Sequence, residues 1–313
     1  MISRQYLIPW LVLGACAASA TAGPIVTVIT GSQQIGQMDL ATGSFSPTGS
    51  IPPTIQYLVP GPNGSALTQS FDGNLDSINL NTGAISVIGP TGFADCSSPT
   101  SPTCGPNSQL SFGSAGGTLY ATDFANNLYT LNPATGNATK VGATGIPGIP
   151  FIPASTNPDG SFNFYDENLF DVGGGLYVNF DAGTFNPNTF EATEVISPAL
   201  YKINVNTGQA TKISSTDFGL VTVANLSGTV YGFNGVTGQI VTLDVTNGIT
   251  SAVSNIDQSV GLVAGAAPSS VPEPGSVALV IIGLTMGAIY RRRTRSPHRS
   301  SASCRSGIGL YEI

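Results

Sequence analysis

Five near-copies of one short phrase punctuate the sequence: QMDLATG, SINLNTG, TLNPATG, KINVNTG and TLDVTNG, ending at Gly43, Gly83, Gly136, Gly208 and Gly248. The step is 40 residues from the first to the second and 40 from the fourth to the fifth, with 53 and 72 between them. Self-similarity at such a period marks a fold assembled from repeated units. Each phrase follows a short alternating run, and most precede a second one, such as AISVIG, NATKVG or QATKIS. The terminal glycine takes positive φ at little cost, so the chain reverses there between two antiparallel strands. Asp39, Asn79, Asn132, Asn204 and Asp244 stand at matched positions just before the reversals, where a short polar side chain caps the turn by bonding to nearby backbone. Runs such as GTLYATD, GGLYVNF and GTVYGFN add a third strand, and QLSFGS or GLVTVAN a fourth. Four short strands per roughly 40 residues describe a β-propeller blade.

Circular closure fits the same reading. The first unit, Ile25 to Ser50, lacks an opening strand, while the run SVGLVAGAA at 259–267 has no unit of its own. Pairing the two closes the ring and removes its edges. The expected fold is therefore all-β, a propeller of about five four-stranded blades over residues 23–267. Six are allowed if the stretch near 145–170 holds a degenerate blade, and an open β-solenoid or a sandwich is the rival. The excess in the 53-residue step coincides with the loop CSSPTSPTC; the 72-residue step accommodates GIPGIPFIPASTNPDG and an insert near NPNTFEATEV. The blade motif loosely resembles the repeats of bacterial surface propellers and quinoprotein-like domains. Composition agrees, with 39 Gly, 22 Pro, 9 % charged and 41 % hydrophobic residues, a mixture rich in turns yet able to build a core.

Both ends carry membrane signals. Residues 1–22 read as a signal peptide and its helix: Arg4, an apolar stretch from Tyr6 to about Ala18, then small residues. Cleavage fits after Ala20 or Ala22. The string LGAC also passes for a lipobox with Cys16 as the lipidated residue, and an uncleaved anchor is the third alternative. Residues 268–274 form a linker containing VPEP. Gly275 to Tyr290 is a sixteen-residue run without charge, expected as a transmembrane helix, and 291–313 is a basic tail expected in the cytoplasm. Arg291, Arg292 and Arg293 are the charges that hold this side of the helix inside.

The order VPEP, apolar helix, RRR resembles the PEP-CTERM sorting signal of Gram-negative bacteria that make exopolysaccharide. That resemblance implies recognition of Pro272, Glu273 and Pro274 by exosortase, an integral-membrane protease that removes the tail. Proline on either side of Glu273 favours an extended segment suited to a protease groove. The protein is then expected at the cell envelope or surface, or outside the cell, after a transient inner-membrane anchorage. The chain departs from the family in one respect: TRSPHRSSASCRSGIGLYEI continues beyond the arginines.

The exported body offers little catalytic chemistry. From Gly23 to Ser270 it holds three lysines, Lys140, Lys202 and Lys212, against fifteen acidic residues, which disfavours nucleic acid. The single histidine is His298, in the tail, so neither a Ser-His-Asp triad nor a His-ligated metal fits within the body. Cys96 and Cys104 close a short loop and are expected as a disulfide in an exported chain. In NPDGSFNFYDENLFD, Asp159, Asp166, Glu167 and Asp171 fall within thirteen residues. The expected role is a solvated acidic loop, with Ca2+ as the alternative ligand and a glycosidase carboxylate pair as another. Tyr120, Tyr177 and Tyr231 occupy matched places and are expected to pack between blades. The function this points to is a non-catalytic surface module, for adhesion or for contact with exopolysaccharide matrix or surface proteins. An extracellular carbohydrate-active enzyme with paired carboxylates is the alternative, and a quinone- or calcium-dependent propeller enzyme a further one. Three carboxylates at the mouth of a central channel would favour an enzyme, and a mouth of backbone, Ser and Thr would favour binding.

Overall fold

Strand pairing follows the repeats unit by unit. The computed structural model describes residues 23–268 apart from 53–54, 56, 71, 95–107, 148–160, 187–190, 217–218, 235–236 and 257–262, all within the unit Ala22–Val271. Blade one holds β1 (Ile25–Thr30), β2 (Gln34–Asp39) and β3 (Phe45–Ser50). Blade two holds β4 (Val59–Pro60), β5 (Ser65–Gln69), β6 (Asn74–Asn79) and β7 (Ile85–Pro90). Blade three holds β8 (Gln109–Ala115), β9 (Thr118–Asp123), β10 (Asn127–Leu131) and β11 (Ala138–Ala143). Blade four holds β12 (Phe162–Val172), β13 (Gly175–Asn186), β14 (Glu191–Ile203) and β15 (Ala210–Ser215). Blade five holds β16 (Thr222–Leu226), β17 (Thr229–Phe233), β18 (Gln239–Leu243) and β19 (Thr250–Asn255). The last strand, β20 (Val263–Pro268), returns to blade one and pairs antiparallel with β1, Val26 opposite Pro268 and Val28 opposite Ala266.

The result is five antiparallel four-stranded blades in a ring, with β20, β4, β8, β12 and β16 innermost. Among the described residues the long insert adds no sixth blade: from Phe162 it is the inner strand of blade four. Period-2 alternation sends successive side chains to the two faces of each blade, so neighbouring blades share one apolar layer. There are five such layers among the described residues. Ile29 and Ile35 meet Ala66 and Ile78 between blades one and two. Leu67 and Leu75 meet Phe112 and Leu119 at the next interface. The other three form around Phe180, Leu200 and Phe233. Tyr120, Tyr177 and Tyr231 lie in three consecutive layers, as expected from their matched places.

Each Gly-ended phrase forms the turn into an outer strand. The carbonyls of Asp39, Asn79, Asn132, Asn204 and Asp244 accept the N–H of Gly43, Gly83, Gly136, Gly208 and Gly248 at 2.7–2.8 Å. Their side-chain Oδ1 atoms accept the N–H two residues on, at 2.8–3.0 Å. The capping expected of these five residues is thus realised in every blade. No residue of an outer strand is buried, and each outer strand carries a register shift against its partner. Such bulges twist a free edge and discourage further strand addition.

Blade four is longer than the rest. Pairing of β12 with β13 runs out to Phe162 opposite Phe185, and that of β13 with β14 to Asn186 opposite Glu191. The outer strand β15 starts only opposite Ala199. A three-stranded extension therefore projects past the four-stranded part, with Val195 56 % exposed on it. The insert near NPNTFEATEV is the source of this length.

Candidate functional site

Strand-to-strand reversals next to the axis shape one mouth of the ring. The β8–β9, β12–β13 and β16–β17 connections are two-residue turns: Gly116 and Gly117, Gly173 and Gly174, Ser227 and Gly228. All six residues have positive φ, between 51° and 91°, as type I′ turns require. Five of the six are glycine, so the rim is nearly bare of side chains. Beneath it, the inner strands β4, β8, β12 and β16 enclose a cavity of about 220 Å³. Leu58, Val59, Leu169, Phe170 and Val223 form its apolar wall, and Ser114, Asp171 and Asn225 are its polar side chains.

Asp171 is the one carboxylate in that lining. Its Oδ2 accepts the N–H of Gly116 from blade three at 2.7 Å, and its Oδ1 accepts the N–H of Gly174 at 2.8 Å. The Asn225 side chain donates to the Asp171 carbonyl, and its Oδ1 accepts the Gly228 N–H at 3.0 Å. Asp171 and Asn225 thus fasten three successive turns to one another. Both oxygens of Asp171 are committed to backbone amides.

Glu167 occupies a different environment. The acidic run of the sequence is no loop from Phe162 onward, because Phe, Tyr, Leu and Val in that stretch favour a half-buried pleated strand. Glu167 and Asp171 lie four residues apart along β12, about 13 Å of strand rise. Asp166 stands opposite Asp181 in the pairing with β13, and Asp159 lies outside the described residues. Glu167 is 2 % exposed and faces blade three. Its Oε1 accepts the Thr122 hydroxyl at 2.6 Å, while Oε2 has no hydrogen-bond partner. Burial first, and the charge of Asp123 after it, push this carboxyl up to about 7 against the opposing Thr122 bond. Asp123 is itself buried and accepts from the Asn127 backbone N–H at 2.8 Å and the Tyr129 hydroxyl at 2.9 Å. Burial, then Asp123, raises Tyr129 to about 12. On the other face of β12, Asn168 donates to the Leu220 carbonyl, and Asn179 accepts the Leu220 N–H at 3.0 Å.

Among the described residues no three His, Cys, Asp or Glu side chains gather closely enough to hold a metal ion. Glu167 and Asp171 are too far apart along their strand to share an ion. Pro272, Glu273, Pro274, Arg291, Arg292, Arg293, Cys96 and Cys104 lie outside the described residues, as do the expected signal and transmembrane helices. Sequence reasoning missed Thr122, Asp123, Tyr129 and Asn225, which no local motif distinguishes from ordinary strand and turn residues.

Comparison with known proteins gives likeness of fold only. No protein-family model matches the chain, nor does any curated protein sequence. A solved nidogen/laminin complex contains a chain that is 9 % identical over 78 % of this chain and 97 % of its own, with a TM-score of 0.42. The PQQ-bound aldose sugar dehydrogenase of Streptomyces coelicolor is 14 % identical over 69 % of this chain and 85 % of its own, with a TM-score of 0.35. BamB of Moraxella catarrhalis is 11 % identical over 73 % and 69 %, with a TM-score of 0.29. Activities of proteins this distant do not transfer to this chain.

Proposed function

We propose that this protein is an exported, surface-sorted β-propeller without catalytic activity, whose ring serves adhesion or contact with exopolysaccharide matrix or other surface proteins. The observation that carries the reading is the channel mouth. Among the described residues it presents backbone, an apolar wall, one serine, one asparagine and a single carboxylate, Asp171, already held by two amides. A glycosidase needs two carboxyl groups about 5–9.5 Å apart across the scissile bond. Glu167, whose pKa is raised to about 7, is sealed between blades and lies about 13 Å of strand from Asp171, which speaks against the carbohydrate-active alternative.

Delivery follows from the ends of the chain. A signal peptide carries the body across the inner membrane, and the VPEP segment, apolar run and three arginines hold it there for exosortase. Intact-mass analysis of protein recovered from envelope and medium of the native host tests this. Loss of both ends, with a C-terminus near Pro274, supports sorting; a retained basic tail refutes it.

A further inference from the structure

The turn joining β5 to β6 gathers oxygen atoms with too few protons among them. Asp72-x-Asn74-x-Asp76 runs from that turn into β6. The Ser70 hydroxyl meets two acceptors at once: Asp72 Oδ1 in a short contact and the Asn74 carbonyl at 3.3 Å. A hydroxyl has one proton to give.

A second observation stands across the strand pair. Thr68 is in register with Asp76, so the two side chains share a face with their Cβ atoms roughly 5 Å apart. Thr68 is fully buried and Asp76 is 4 % exposed. Neither Thr68 Oγ1 nor Asp76 Oδ1 has a hydrogen-bond partner. Two buried, unpartnered oxygens thus stand on one face of a directly opposed residue pair, and each costs free energy while unsatisfied.

We propose that Thr68, Ser70, Asp72 and Asp76, with the Asn74 carbonyl, form a binding site for one hard divalent cation of the calcium class. The donors are all oxygen, as such an ion requires, and offer neither nitrogen nor sulfur to a softer metal. Two carboxylates balance its charge, and the ion satisfies the acceptors that lack protons. Ala66 and Ile78, on the same face as Thr68 and Asp76, pack toward blade one. The ion therefore fastens the β5–β6 turn at the interface of blades one and two. With two carboxylates and three neutral oxygens the site belongs with the weak extracellular class, with Kd on the order of 10⁻⁴–10⁻³ M.

The test is a thermal melt of the full-length chain in detergent, stripped with EDTA and titrated with CaCl2 from about 0.1 to about 10 mM. Wild type is expected to gain roughly 3 °C at tenfold excess over Kd. Asp76→Asn removes the gain and, having lost a buried acid, melts without calcium at or above the ion-free wild type. Asp72→Asn weakens the gain and serves if Asp76→Asn does not fold. Glu167→Gln, in the acidic run of β12, keeps it in full. No gain in wild type, or an equal gain in both Asp variants, overturns the site.

Discussion

Gly89 in the outer strand of blade two and Gly136 in the turn of blade three meet backbone to backbone. A Cβ on Gly89 would come within 2.4 Å of the Thr135 carbonyl oxygen, and one on Gly136 within 2.4 Å of the Gly89 oxygen. The contact recurs around the ring: Gly49 faces Thr82, Gly142 faces Thr207, Gly248 faces Ser214, and Gly43 faces Asn255 of blade five. Each outer strand leans on the turn of the next blade, always in the same direction.

Gly136→Ala and Gly117→Ala separate the two demands on these glycines. Both positions have φ near +80°, but a Cβ at Gly117 meets nothing within 4 Å. Gly117→Ala is expected to cost about 1 kcal/mol from the left-handed backbone alone. Gly136→Ala carries the same penalty and also parts two blades, for at least about 3 kcal/mol in all. Urea denaturation of the two variants measures the difference; equal losses would mean that the blade contact is slack.

Glu167 gives the ring a dependence on pH. Its folded pKa of about 7 lies above the ordinary value of 4.5. Between those values the unfolded chain has released the proton that the folded chain keeps, so stability falls as pH rises through that window and levels off above it. The loss is on the order of 3 kcal/mol. Glu167→Gln keeps an acceptor for Thr122 and is expected to flatten the profile between about pH 5 and pH 8, with little change at pH 4. A variant profile that still falls in parallel with wild type would assign the dependence to another group.

Asp171 is expected to act as a fastener of turns. Asp171→Ala leaves the Gly116 and Gly174 amides without their acceptor and lowers stability by about 1–2 kcal/mol, while Asp171→Asn recovers part of it. Hydrogen exchange at those two amides reads the effect directly. Exchange in Asp171→Ala as slow as in wild type would remove the residue from this role.

Ending the chain before Val263 removes β20 and leaves β1 as an open edge. Such a chain is expected to melt lower and to associate through the uncovered strand, which size-exclusion chromatography detects. A monomer with the wild-type melting temperature would show that closure is dispensable.

The hairpin phrases made most of this architecture legible, because an Asx residue four places before a glycine has one economical conformation, and it recurs five times. Closure was legible too, from a strand left over at one end and missing at the other. The run from Phe162 reads differently in the fold: five polar or charged residues in FNFYDENLFDV suggest solvent, yet Thr122 takes up Glu167 and the Leu220 carbonyl takes up Asn168. Those partners lie 45 and 52 residues away in sequence, beyond any local pattern. The oxygen cluster at Asp72 and Asp76 was hidden differently. Asp72 and Asp76 lie outside the five repeated phrases, as two acids four residues apart that match no complete metal-site motif, so only the burial of Thr68 and Asp76 sets them apart.

The pairing of β1 with β20 fixes an order of events. The second residue of β1 finds its partner at Pro268, so the first strand to be synthesised waits for the last before either is sheltered. Until then the nascent body is a chain of hairpins with one adhesive margin, and a stalled or shortened chain would carry that margin into its neighbours.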